Sequence, residues 1–143
     1  MKKILFQRIA KLAILFYAGG STYLTIEMFF RGYTHTSMFF VGAIAFILVG
    51  GINNWFSWNL SILLQMLISA TLITVIEFIS GFILNILLNL GIWDYSGLPL
   101  NLLGQICLPY TGIWFLLSVV AIVLDDVLRW QLFNESKPRY YLF

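Results

Sequence analysis

"LSILLQMLISATLITVIEFISGFILNILLNL", residues 60–90, holds one charged side chain, Glu77, in about 31 positions. The hydrocarbon core of a bilayer needs only about 20 apolar residues to be crossed by a helix. At about 1.5 Å per residue this run reaches about 46 Å, against about 30 Å of hydrocarbon. Tilt alone does not absorb that excess, so the segment is expected to overshoot an interface or to bend, and Ser80-Gly81 is the place for a bend. No period-two alternation of a barrel strand is present, so the spanning structure is a helix.

Working outward from this run, three further apolar stretches appear, in a chain of 143 residues that is 61% hydrophobic and 10% charged. The reading is an all-α integral membrane protein with four transmembrane helices, at roughly 12–30, 38–58, 60–90 and 102–127. No linker, low-complexity tract or internal repeat divides it, so residues 1–143 are expected to form one helical-bundle domain. Lys2, Lys3, Arg8 and Lys11 precede the first span and Arg129, Lys137 and Arg139 follow the last, while the connections offer only Arg31. With four spans these terminal basic residues share one side, and the positive-inside rule makes it the cytoplasm. The expected location is a bacterial plasma membrane, multi-pass, with both termini cytoplasmic. The N-terminal apolar segment is expected to be a retained span, because its apolar character continues past Tyr23 without a clear small-x-small cleavage site. The net charge of +2 comes from these flanks and gives no reason to invoke nucleic acid. The lone cysteine, Cys107, has no internal disulfide partner and reads as a packing residue of an apolar helix.

Polar and small residues recur along three spans. Ser61, Gln65, Ser69, Glu77, Gly81, Asn85 and Asn89 lie at multiples of four in the third, and Gly19, Tyr23, Glu27 and Arg31 do so in the first. Gly104, Thr111, Ser118 and Asp125 recur every seven residues in the last, as on a helix seam. These stripes are expected to face the bundle interior. Pro109 is expected to bend the last span, and Asn101 to cap it.

A carboxylate within a span is costly and marks a functional hypothesis. Glu27 and Glu77 both fall toward the outer leaflet, Arg31 lies four residues after Glu27, and Asp94 and Gln105 belong to the outer connection or its edges. Trp93 and Tyr95 flank Asp94 and suit the headgroup belt or the holding of a cation. The expectation is an outward-facing polar, acidic pocket for a small solute or cation, built from Glu77, Glu27, Asp94, Arg31, Tyr95, Trp93, Asn85 and Gln105. The alternative is a structural or regulatory membrane subunit whose polar residues only lock helices together.

"YLTIEMFFRGYTHTSMFFVGAIAFILVGGIN", "IEFISGFILNILLNLGIWDYSGLPLNLLGQIC" and the tryptophan that follows them resemble the bacterial ABC-transporter type IV family, also called CmpB-like. The resemblance covers most of residues 23–114. Its most specific pieces are Glu27 with Arg31-Gly32-Tyr33-Thr34-His35, Glu77-Phe78 with Gly81 and Asn85, and Trp93-Asp94-Tyr95-Ser96 with Pro99, Asn101, Gly104 and Gln105. The resemblance implies transport without a substrate or an established catalytic residue.

The chain contains no G-x-x-x-x-G-K-[ST] phosphate loop. An ATPase driving such a transporter would be a separate cytoplasmic chain, and the amphipathic stretch 125–133 is a possible dock for it; its bland reading is a helix end anchored at the lipid surface by Trp130 and Phe133. A partner membrane subunit or a homo-oligomer is also expected, because four helices enclose little volume. No metal-ligand spacing, cofactor motif or catalytic constellation is recognisable, so the expectation is a protein that is not an enzyme and needs no cofactor or metal.

Overall fold

The computed structural model describes residues 2–56 and 58–143, with side chains from Ile4 onward. Its frame is α1 (Lys2–Arg31), α2 (Ser37–Gly50), α3 (Ile52–Trp55), α4 (Ile62–Gly81) and α5 (Leu108–Phe133). Gly51 keeps right-handed helical backbone, so α2 and α3 together form one apolar span, Ser37–Trp55. Among the described residues, four segments are long and apolar enough to cross a membrane. Large apolar side chains stand on the bundle's outside, Phe29 at 87% exposure among them. In water they would be a liability; against lipid they need no partner.

The third span bends where its sequence allows. The α winding of α4 ends at Gly81, and Phe82–Leu87 continue as a π-helix, in which the Leu88 amide bonds the Ile83 carbonyl at 2.9 Å. Gly81 is required there: a Cβ would stand 2.5 Å from Gln105 Oε1 and 2.8 Å from the Trp93 ring.

The last span starts later than its apolar run. Leu102, Leu103, Ile106 and Cys107 belong to a small antiparallel hairpin, β1 (Asn101–Leu102) and β2 (Ile106–Cys107), with Asn101 opposite Cys107 and Leu102 opposite Ile106. Leu103 and Gly104 turn it with φ of 54° and 68°. Three expectations are therefore corrected. Pro109 lies in the first turn of α5, where its missing N–H is no loss, and starts the helix rather than bending it. Asn101 caps nothing in α5; its amide donates to the carbonyls of Ser96 and Leu98, and its Oδ1 accepts from the Gly104 amide. Cys107 is buried, but in the strand before the helix.

α1 packs along α2, α4 along α5, and α2 touches both α4 and α5, whereas α1 and α5 meet sparsely. Gly42 permits the first of these contacts, since a Cβ there would stand 2.3 Å from the Tyr23 Cβ. One core cluster joins Val49, Met66 and Ile122; another, toward the interhelical loops, joins Met38, Ile92 and Trp93.

The end carrying both termini has its own polar cluster, in which Asp125 faces the interior as its seven-residue stripe predicts. Asp125, Asp126 and Arg129 are buried, facing the bundle rather than offering a charged outer surface. Arg129 pairs with Asp125, while Asp126 accepts from Asn53 at 2.7 Å and from the Tyr140 hydroxyl at 2.8 Å. Outside the helix, Tyr140 is held protonated above its ordinary range by burial first and by Asp126 second. The tail folds back, so that the Tyr141 carbonyl accepts from the Ile62 amide at the start of α4, and Glu135 pairs with Lys11 of α1.

Candidate functional site

The eight nominated residues gather at the opposite end, where the 32–36 connection meets the long 88–107 segment. They divide by what they touch. Asn85, Trp93 and Gln105 tie the π-helix to the hairpin. The Asn85 amide donates to Gln105 Oε1 at 2.9 Å and to the Trp93 carbonyl at 3.1 Å, its Oδ1 accepts from the Ile92 amide at 2.7 Å, and the Trp93 indole donates to the Gln105 carbonyl at 3.0 Å. These bonds use most of what the three side chains offer, so they act as a framework.

Glu77 is 6% exposed. It accepts from the Tyr95 hydroxyl on one oxygen and from the Trp114 indole on the other, each at 2.9 Å. Neither donor lies on α4, so one carboxyl group joins α4, α5 and the loop. Tyr95 is kept protonated above its ordinary range, by burial first and by Glu77 second.

Glu27 accepts from Arg31 at 2.7 Å and from the Thr34 hydroxyl. Arg31 also donates to the Ile92 carbonyl at 2.7 Å and to the Tyr33 hydroxyl at 3.0 Å, and its guanidinium lies 4.6 Å from the Tyr33 ring centre. The pair therefore anchors α1 to the loop after α4. A Glu27→Gln, Arg31→Met cycle is expected to give a coupling of about 0.5–3 kcal/mol when unfolding of the purified protein is followed. Additive losses would show that the two side chains act separately.

Asp94 is exposed and accepts from the Ser96 amide at 2.8 Å, as a turn-forming aspartate does. That bond, with the Ser96 side chain, lowers its carboxyl pKa from the ordinary value. His35 serves the start of α2, its Nδ1 accepting from the Ser37 amide at 3.2 Å.

Two hollows with shared wall residues lie between these groups. The inner, about 130 Å³, is walled by Tyr23, Glu27, Arg31, Tyr95, Tyr110 and Trp114, with apolar residues beside them. The outer, about 430 Å³, is lined by Arg31, Tyr33, Trp93, Asp94, Tyr95 and Tyr110, with Gly97 and Leu98. Arg31, Tyr95 and Tyr110 border both; Tyr95 and Tyr110 stack with ring centres 4.5 Å apart. Of the nominated residues, Glu27, Arg31, Trp93, Asp94 and Tyr95 border the hollows, whereas Glu77, Asn85 and Gln105 stand behind their walls. Sequence reading missed Tyr110 and gave Trp114 no role. Their signal was present: Tyr110 and Trp114 lie four apart on α5 and so share a face.

No curated protein and no solved structure matches the chain. Comparison with protein families matches residues 13–141, nearly the whole length, to the one described as "Putative ABC-transporter type IV". With four membrane-spanning helices and this match, the chain belongs to that ABC-transporter-related family and is a transport-associated membrane protein.

Proposed function

We propose that the paired hollows face outward and receive the cationic group of a transported solute. The observation that carries this reading is the inner hollow, where three tyrosines and a tryptophan surround one space beside the Glu27–Arg31 pair. Aromatic faces and a nearby carboxylate are the chemistry that holds an ammonium group without stripping it of all favourable contacts. Three acidic side chains at this end, Glu27, Glu77 and Asp94, outnumber Arg31 there, which favours a cation over an anion. Binding and passage, rather than bond breaking, are the proposed activity. If ATP drives the passage, a separate cytoplasmic ATPase supplies the hydrolysis.

Binding of tetramethylammonium to the full-length protein in amphipol tests the reading by titration calorimetry. Tyr110→Leu removes the stacked wall and is expected to weaken binding about tenfold, in keeping with cation–π contributions of about 0.5–2 kcal/mol. Absence of binding by the unaltered protein would defeat the proposal. Orientation is tested separately: cysteines at the exposed positions 96 and 136 are expected to react with an impermeant maleimide from outside and inside, respectively.

A structural or regulatory subunit is the second reading, favoured by the fact that both buried acids here already have their donors. Intact assembly of a transport complex without any cation binding would support it.

A further inference from the structure

The inner hollow has a neighbour behind its aromatic wall. Below it lies a third space of about 70 Å³, and the two share Tyr23, Ile26, Trp114 and Leu117 on their borders. This lowest chamber is bounded mainly by Phe46, Val49, Ile73, Ala45, Ala121 and Val120, so it is apolar where the hollow above is polar. The series follows the seam between α1 and α5, the helix pair that meets only sparsely. Its rim faces outward from the bundle: Phe30 is 75% exposed, and Ile113 and Val120 also stand exposed. In a membrane that side is lipid.

We infer that the α1/α5 seam is a lateral entry slot for an amphiphile, a single alkyl chain entering the apolar chamber while its cationic or zwitterionic head sits among Glu27, Arg31, Tyr95 and Tyr110. The inference rests on the reading of the hollow above as a cation pocket and adds the class of ligand. Three features carry it. The polar-to-apolar order along the seam matches an amphiphile entering head toward the interface. The lower chamber, about 70 Å³ and lined almost wholly by apolar side chains, is too small for a packed helix, which is about 10–12 Å across, but can take part of an alkyl chain. Its exposed rim lets the chain enter from the bilayer without crossing water. A compact hydrophilic cation would use only the upper part and leave the apolar chamber without a role.

The probes are alkyltrimethylammonium ions with a constant head and methyl, butyl, octyl or dodecyl tails, titrated against the full-length protein in amphipol. Affinity is expected to rise by up to about fourfold per buried methylene and to level off once the chamber is filled. Ala45→Phe fills the chamber, and Val120→Trp covers its exposed rim, so that a folding defect in one does not remove the test. Each is expected to abolish the dependence on tail length while leaving tetramethylammonium binding unchanged.

Equal binding of all tails by the unaltered protein overturns the slot and leaves the cation pocket standing. An undiminished dependence in both variants assigns the tails to the surrounding amphipol and likewise overturns it. No binding of any probe defeats the pocket and the slot together. A dimer that Val120→Trp dissociates would show a second copy seated on the seam, and that result also overturns the amphiphile.

Discussion

Arg129→Met is expected to destabilise the protein by about 3–5 kcal/mol, the usual consequence of leaving a buried charge without its partner. Asp125 is fully buried and Arg129 is 8% exposed. The guanidinium reaches Asp125 Oδ2, while Asp125 Oδ1 has no hydrogen-bond partner among the described residues. The carboxylate cannot move aside cheaply, because it is packed against Gly50: a Cβ at that glycine would stand 2.0 Å from the Asp125 carboxyl carbon. Asp125→Asn added to Arg129→Met removes the stranded charge and is expected to recover much of the loss. Unfolding in mixed micelles at rising denaturing-detergent content measures all three variants. A double variant no more stable than Arg129→Met would show that the pair's charge is not what holds this end together.

Glu77→Gln is expected to destabilise by about 1–3 kcal/mol, the cost of a buried donor left without an acceptor. The sequence alone makes this substitution appear gentle, since glutamine keeps size and polarity. The site shows why it is not: both carboxylate oxygens accept, one from Tyr95 and one from Trp114. Glutamine offers one acceptor oxygen and turns an NH₂ group toward the other donor. Trp114→Phe removes the conflicting indole, so the double variant is expected to be more stable than the sum of the single losses predicts. Thermal unfolding of the four proteins provides the cycle. A Glu77→Gln protein as stable as the parent would mean that the two donors find other partners, and Glu77 would lose its place as the joint between α4 and α5.

The four spans and the gathering of the polar residues were legible because lipid is an unforgiving solvent. Glu27, Glu77, Asn85 and Gln105 have no favourable place on a lipid face, so their occurrence in or beside apolar runs already implies that they meet. Start points were less legible. Leu102, Leu103 and Ile106 look like the opening turn of a span, and only the turn at Leu103 and Gly104 makes them a hairpin. Asp125 was legible as an interior residue from its seven-residue stripe, but the burial of Asp126 and Arg129 beside it was not, because charges at the edge of a span usually reach water. Asp126's partners Asn53 and Tyr140 lie on other elements, and no spacing rule joins them to it. Tyr110 and Trp114 escaped for the converse reason: an aromatic residue in a span is as much at home against lipid as around a cavity.

The π segment makes the third span a joint rather than a rod. An α turn and a π turn differ in how far each residue rotates about the axis, so the winding of Phe82–Leu87 sets the direction in which everything beyond Gly81 points. A return to α winding would rotate Asn85 away from Gln105, Trp93 and Ile92 while leaving Glu77 below the joint where it is. The three bonds of Asn85 thus serve as a latch, holding the less favourable winding in place. Through Ile92, whose carbonyl also accepts from Arg31, the latch is linked to the mouth of the hollow. Unfastening it would turn the loop end relative to the bundle below, a pivot at the height of the hollow's mouth.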